Sequence, residues 1–200
     1  METRSKDMNI SREISDLLVE EKIIDVEETD VYTYCINAVF DIIGTILITV
    51  TLGIILNKMM ETTLFLLIVI PLRSFSGGYH AKTSLTCLVL SILYYLTSIY
   101  LADCLFKSIH YTLTIIVFFI SLCIVYIISP IESVNKPITI EERQQMLKYT
   151  HITLAMILVL SIILNIFSLK LLFKEVCLII FIHLVFQIIE KIRLVNRSCH

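Results

Sequence analysis

The chain has 200 residues, with sixteen Lys and Arg against eighteen Asp and Glu and a formal net charge of -2. Hydrophobic residues make up 57% and charged residues 17%, and the mean hydropathy is +0.87. A soluble domain is about half apolar and about a quarter charged, so this chain cannot wrap its apolar residues in a polar shell. A soluble globular enzyme and a disordered protein are excluded, and no basic excess marks a nucleic-acid partner. Four glycines, three prolines and no tryptophan suit a mostly helical chain. The expected class is an all-α, polytopic membrane protein.

Residues 1–30 hold many of the acidic residues and no apolar core of the kind that a cleavable signal peptide needs. Ile10, Ile14, Leu17, Leu18 and Ile24 share one helical face, opposite Arg12, Glu13, Asp16 and Glu20. This predicts an amphipathic cytoplasmic segment, either lying on the membrane surface or packed on the protein itself. Residues 31–200 then read as one transmembrane helical domain. Crossing about 30 Å of hydrocarbon takes about 20 helical residues. The first span is expected over Cys35–Leu56, and Ser84–Ala102, Ser108–Ile131 and Tyr149–Leu169 contain no charged residue. The last span, Leu171–Ile189, carries Lys174 and Glu175 near its start. Between the first and third lies Thr62–Leu72, a run of 11 uncharged residues that includes Pro71. It crosses only if tilted or lengthened by snorkelling through Lys58–Glu61; otherwise it is re-entrant.

With the short run counted there are six spans. Twelve of the sixteen Lys and Arg then gather on one side, against Lys58, Lys107, Lys170 and Lys174 on the other. The positive-inside rule makes the richer side cytoplasmic. Both termini, the loop 73–87 and the loop 130–148 are expected there, in a multi-pass cell-membrane protein. If the short run did not cross, Arg73 and Lys82 would move outside, which the charge count disfavours.

Two of the four glycines are adjacent in Arg73-Ser-Phe-Ser-Gly77-Gly78-Tyr-His80-Ala-Lys82-Thr. A Gly-Gly pair between helices marks backbone geometry closed to other residues. His80 and Cys87 follow, a combination that suits a thiol nucleophile and its base. On one straight helix a separation of seven would hold them about 10 Å apart, beyond hydrogen-bond reach. A working pair therefore needs a break between them. Thr83 or Ser84 can cap a helix that starts there, with Cys87 near its first turn at the positive end of the helix dipole, where negative charge is favoured. Cys35, Cys104, Cys123, Cys177 and Cys199 read as inert packing thiols. Zinc competes for His80 and Cys87, but no further ligands at metal spacing complete a site, so no metal is expected. Asp41 lies inside the first span, where a carboxylate is a functional candidate, either orienting His80 or resting hydrated at the interface. Arg73 could steady an oxyanion together with the Gly77 and Gly78 amides, or simply anchor the cytoplasmic side.

The run from Arg73 to Cys87 resembles the signature of the accessory gene regulator protein B (AgrB) family. Pro130-Ile-Glu-Ser-Val-Asn-Lys-Pro137 resembles that family's cytoplasmic loop. The resemblance implies a membrane-embedded cysteine endopeptidase of peptide quorum sensing, with no cofactor. It would cut the acidic C-terminal tail from a small propeptide with an amphipathic leader. It would then help close the rest into a thiolactone or lactone. Cys87 would be the nucleophile and His80 the base, supported by Arg73, Gly77 and Gly78, in a homodimer. The acidic tail would meet Arg73, Lys82, Lys136, Arg143 and Lys148. A competing reading is a small transporter or channel using Asp41, and a third is a scaffold subunit without chemistry. The Gly-Gly-Tyr-His…Cys run favours the first.

Overall fold

The structure is a computed structural model that describes residues 2–77, 84–104, 110–131 and 140–198. Among them the regular structure is helical: α1 (Glu2–Glu20), a 3-10 turn (Val26–Glu28), α2 (Thr29–Ile55), α3 (Met59–Ser76), α4 (Ser84–Cys104), α5 (Tyr111–Ile128), α6 (Ile140–Ile166) and α7 (Lys170–Ser198). Six of these helices, α2 to α7, are long and apolar enough to cross a membrane. The chain is an all-α polytopic membrane protein.

The short run is the core of a longer helix. Lys58, just before α3, pairs with Glu61 at 2.8 Å, so the charged residues before Thr62 form its first turn. At its other end the helix continues through Pro71 to Ser76. Pro71 has no N–H to offer Leu67 and so removes one helical bond. Spanning helices tolerate such a loss when neighbours satisfy the freed groups, and Ile68 and Leu72 on either side are fully buried. At 18 residues α3 is about 27 Å long, close to the hydrocarbon thickness. Helices α4, α6 and α7 also outrun their expected stretches, with α6 starting nine residues before Tyr149, whereas α5 is shorter than the expected Ser108–Ile131.

Two compact units make up the chain. The first comprises residues 1–52 and 81–92. Here α1 bonds to α2 through its serines, and Ile14 and Leu18 of the apolar stripe are half-buried. Ser11 Oγ donates to Asn37 Oδ1 at 2.8 Å, and Thr33 Oγ1 lies 3.0 Å from Ser15 Oγ. Ser11 and Ser15 are fully buried, whereas Ile10 and Leu17 are exposed. Small hydroxyl side chains let two helices approach and bond directly, and this sets the packed face.

The second unit comprises residues 53–80 and 93–200, and α7 is its most buried span. Phe65 of α3 meets Tyr94 and Tyr95 edge-on at 5.1 and 5.2 Å. Tyr94 also donates its hydroxyl to Ile179 O at 2.6 Å and meets Phe186 edge-on. Phe118 and Phe173 fill the next layer, 5.5 Å apart. Tight approach of α2 to α3 depends on Gly53, since a Cβ there would fall 2.2 Å from Thr62 Oγ1. Thr62 in turn shares a 2.6 Å hydrogen bond with the buried Tyr95 hydroxyl. Gly53→Ala gains about 1 kcal/mol of helix propensity, but overpacking costs about 1–3 kcal/mol, so the variant is expected to melt lower. Thermal unfolding in detergent checks this, and an unchanged or higher midpoint would show that Thr62 can move aside.

Candidate functional site

Helix α3 ends in the turn that carries Arg73. Its last carbonyl, at Ser76, would be left without a helical partner. Two groups fill it instead: the Ile131 N–H at 3.1 Å and the Gln187 side-chain amide, also at 3.1 Å. The backbone then turns at Gly77, with φ +71° and ψ -169°, a region open essentially to glycine alone. Gly77 forms an isolated parallel bridge with Ile131, and a Cβ at this position would sit 2.2 Å from Ile131 O. Both the backbone angle and the close approach therefore demand glycine.

Beneath this turn lies one face of α7. His183, Gln187 and Glu190 follow at helical spacing, and all three are buried. His183 Nε2 is 2.7 Å from Ser76 Oγ, which also lies within bonding distance of Leu72 O. A hydroxyl has one proton, so Ser76 can donate to only one of the two. Gln187 Nε2 donates at 2.8 Å to Ser129 Oγ as well, so both of its amide protons are used. Glu190 is 3.6 Å from Arg193, one turn further on.

Cys87 is the fourth residue of α4 and half-buried. Its carbonyl accepts from Ser91 Oγ at 2.9 Å. A Cβ at Gly44 of α2 would lie 3.9 Å from Leu88, so these helices meet beside Cys87. Asp41 sits one turn before Gly44, half-buried, and its carbonyl accepts from Thr45 Oγ1 at 2.8 Å. Asp41 and Cys87 belong to the first unit, and Arg73 and Gly77 to the second. Gly78, His80 and Lys82 lie outside the described residues, and so does Lys136; the expected Cys87–His80 pairing therefore falls outside them too.

Of the five described cysteines, none is in a disulfide, and Cys87 is the one in the first turn of a helix. Cys177 is buried, with its thiol 3.4 Å from Thr114 O, as packing thiols are expected to be. Cys35, Cys104 and Cys123 are instead exposed. No group of three or more His, Cys, Asp or Glu able to hold a metal gathers among the described residues.

The accessory gene regulator B family model matches residues 11–190. The chain belongs to the accessory gene regulator B family. The matched stretch takes in the Arg73–Cys87 run, the Ser129–Ile131 segment and the polar face of α7. AgrB-like protein 2 of Clostridium perfringens (strain 13 / Type A) is 29% identical over 146 residues, covering 70% of this chain and 68% of the relative. An AgrB-like protein of C. perfringens (strain SM101 / Type A) is 27% identical over the same length and coverage. No solved structure matches the chain. Membership implies involvement in the accessory gene regulator quorum-sensing system.

Sequence reasoning passed over His183, Gln187 and Glu190. The span expected over Leu171–Ile189 ends one residue short of Glu190. The available signal was three polar residues at i, i+4 and i+7 in an apolar helix, since polar side chains at membrane depth face the protein interior.

Proposed function

We propose that this AgrB-family chain is a membrane-embedded cysteine endopeptidase. It cuts a small propeptide and promotes closure of the product into a thiolactone or lactone. One observation carries the reading beyond family membership: Cys87 is half-buried in the first turn of α4, seven residues after His80 in the sequence. A helix N-terminus favours negative charge, and the start of the helix leaves the thiol within reach of substrate.

The chemistry balances in two steps. Cys87 Sγ attacks the scissile carbonyl carbon while His80 takes the thiol proton. The C–N bond breaks, the proton passes from His80 to the leaving nitrogen, and the acidic tail departs as an amine. The N-terminal product stays on Cys87 as a thioester. A thiol within that product attacks the thioester carbonyl, and its proton returns through His80 to Cys87. One thioester replaces another, so ring closure has little net cost; a serine hydroxyl in its place gives a lactone. Arg73, with the Gly77 and Gly78 amides, supports the oxyanion.

Both termini and the site face the cytoplasm of the cell membrane in this reading, because twelve of the sixteen Lys and Arg gather there. The acidic tail is held by Arg73, Lys82, Lys136, Arg143 and Lys148, so processing weakens as salt rises. A homodimer and a propeptide with an amphipathic leader complete the proposal.

The test is to trap the acyl-enzyme. Purified protein in lipid, given the propeptide and quenched in acid, should gain the mass of the N-terminal product. Hydroxylamine during turnover should divert that product to a hydroxamate. Cleavage that proceeds with neither adduct nor hydroxamate would sink the covalent mechanism.

A further inference from the structure

The Gln187 side chain joins three stretches of chain that are far apart in sequence. One amide proton goes to Ser76 O, the last carbonyl of α3, and the other to Ser129 Oγ just past α5. Ser76 O also takes the Ile131 N–H. The junction is buried: Gln187 and Ser76 are 0% exposed and Ser129 is 6%. Hydrogen bonds at such depth are costly to leave unmade, so the bonded arrangement is strongly preferred over alternatives. Gly77 leaves α3 from inside this junction, and His80 follows three residues later in the sequence.

We propose that Gln187 is a positioning residue: it clamps the end of α3 to the Ser129–Ile131 segment and so sets where the backbone departs towards His80. This inference rests on the reading of Cys87 and His80 as the catalytic pair. Gln187 touches no substrate. It acts through the Ser76 carbonyl and the Ser129 hydroxyl. A displacement of about 1 Å in a base can cost about 100-fold in rate, so a loosened junction is read in turnover before it is read in binding.

The experiment uses the full chain in lipid with the propeptide. Gln187→Met keeps the volume and removes both hydrogen bonds, and Ser129→Ala removes one of them. Folded protein is matched by monodisperse yield, single-turnover cleavage is measured at saturating propeptide, and propeptide binding is measured in the Cys87→Ala background. Exchange of the Ile131 amide reports the junction independently of activity. The expected result is cleavage at least tenfold slower for Gln187→Met, with affinity within threefold. Ile131 should exchange faster, and Ser129→Ala should add little on top of Gln187→Met. Wild-type cleavage by folded Gln187→Met overturns the proposal. So does a loss of cleavage that tracks weakened binding or lost folded protein, which marks a merely structural bond. Should Gln187→Met fail to fold, Ser129→Ala carries the same readouts, and wild-type turnover there with faster Ile131 exchange overturns the proposal as well. Full cleavage by Cys87→Ser would instead remove the catalytic reading itself, an outcome separable from every result at Gln187.

Discussion

Cys87→Ser is expected to lower propeptide cleavage by on the order of 1,000-fold or more while the protein still reaches the membrane at wild-type levels. The change is nearly isosteric, and Cys87 is half-buried at the start of α4, so the fold has little to lose from it. The chemistry has much to lose. A hydroxyl ionises far less readily than a thiol, and a base suited to the thiol does not compensate. Any alcohol attack would also leave an ester, a poorer donor than a thioester for ring closure. Initial rates at matched membrane levels make the comparison, with His80→Ala expected to fall in parallel. Undiminished cleavage by Cys87→Ser would end the dyad reading and turn attention to Asp41 and transport.

Gly77→Ala should produce the largest loss of stability among single-methyl additions. At φ +71° and ψ -169° a side chain costs about 1–3 kcal/mol in backbone strain alone. The added Cβ also meets Ile131 O at 2.2 Å, and that atom is backbone, so it cannot swing away as a side chain would. Relieving the contact means parting the Gly77–Ile131 bridge and with it the Ile131 N–H bond to Ser76 O. Together these amount to about 3 kcal/mol or more, which for a chain of this size corresponds to a midpoint about 6–12 °C lower. Thermal unfolding in detergent measures it, and an unchanged midpoint would show that the turn is not held as described.

The spans were legible because a charge-free stretch long enough to cross a bilayer rarely occurs in a chain whose surface is wetted throughout. Their ends were less so. Lys58 and Glu61 look like a boundary in sequence, yet they neutralise each other within the first turn of α3. Pro71 looks like a stop, yet a buried neighbourhood carries the helix past it. The start of α4 at Ser84, and so the first-turn place of Cys87, was readable from the local capping signal. Gly77 was recognisable as a special backbone position from the glycine pair, but its partner, Ile131, lies 54 residues away, and no local pattern points to it. The same holds for Gln187, whose partners lie 58 and 111 residues away. On α1 the apolar stripe did not disclose the face packed on α2, which is set by Ser11 and Ser15 and leaves Ile10 and Leu17 outward.

The placement of the most buried span after the spans it bonds to has a consequence for biogenesis. Membrane helices are delivered in order as the ribosome releases them, and earlier segments ordinarily begin to fold first. Here α3 and α5 arrive with the Ser76 carbonyl and the Ser129 hydroxyl lacking the amide that will bond them both. Tyr94 likewise waits for Ile179. These groups find their partners only once α7 has been made, after the five other spans. A nascent chain halted before Val176 would hold five spans with these groups unbonded, the kind of intermediate that quality-control proteases remove.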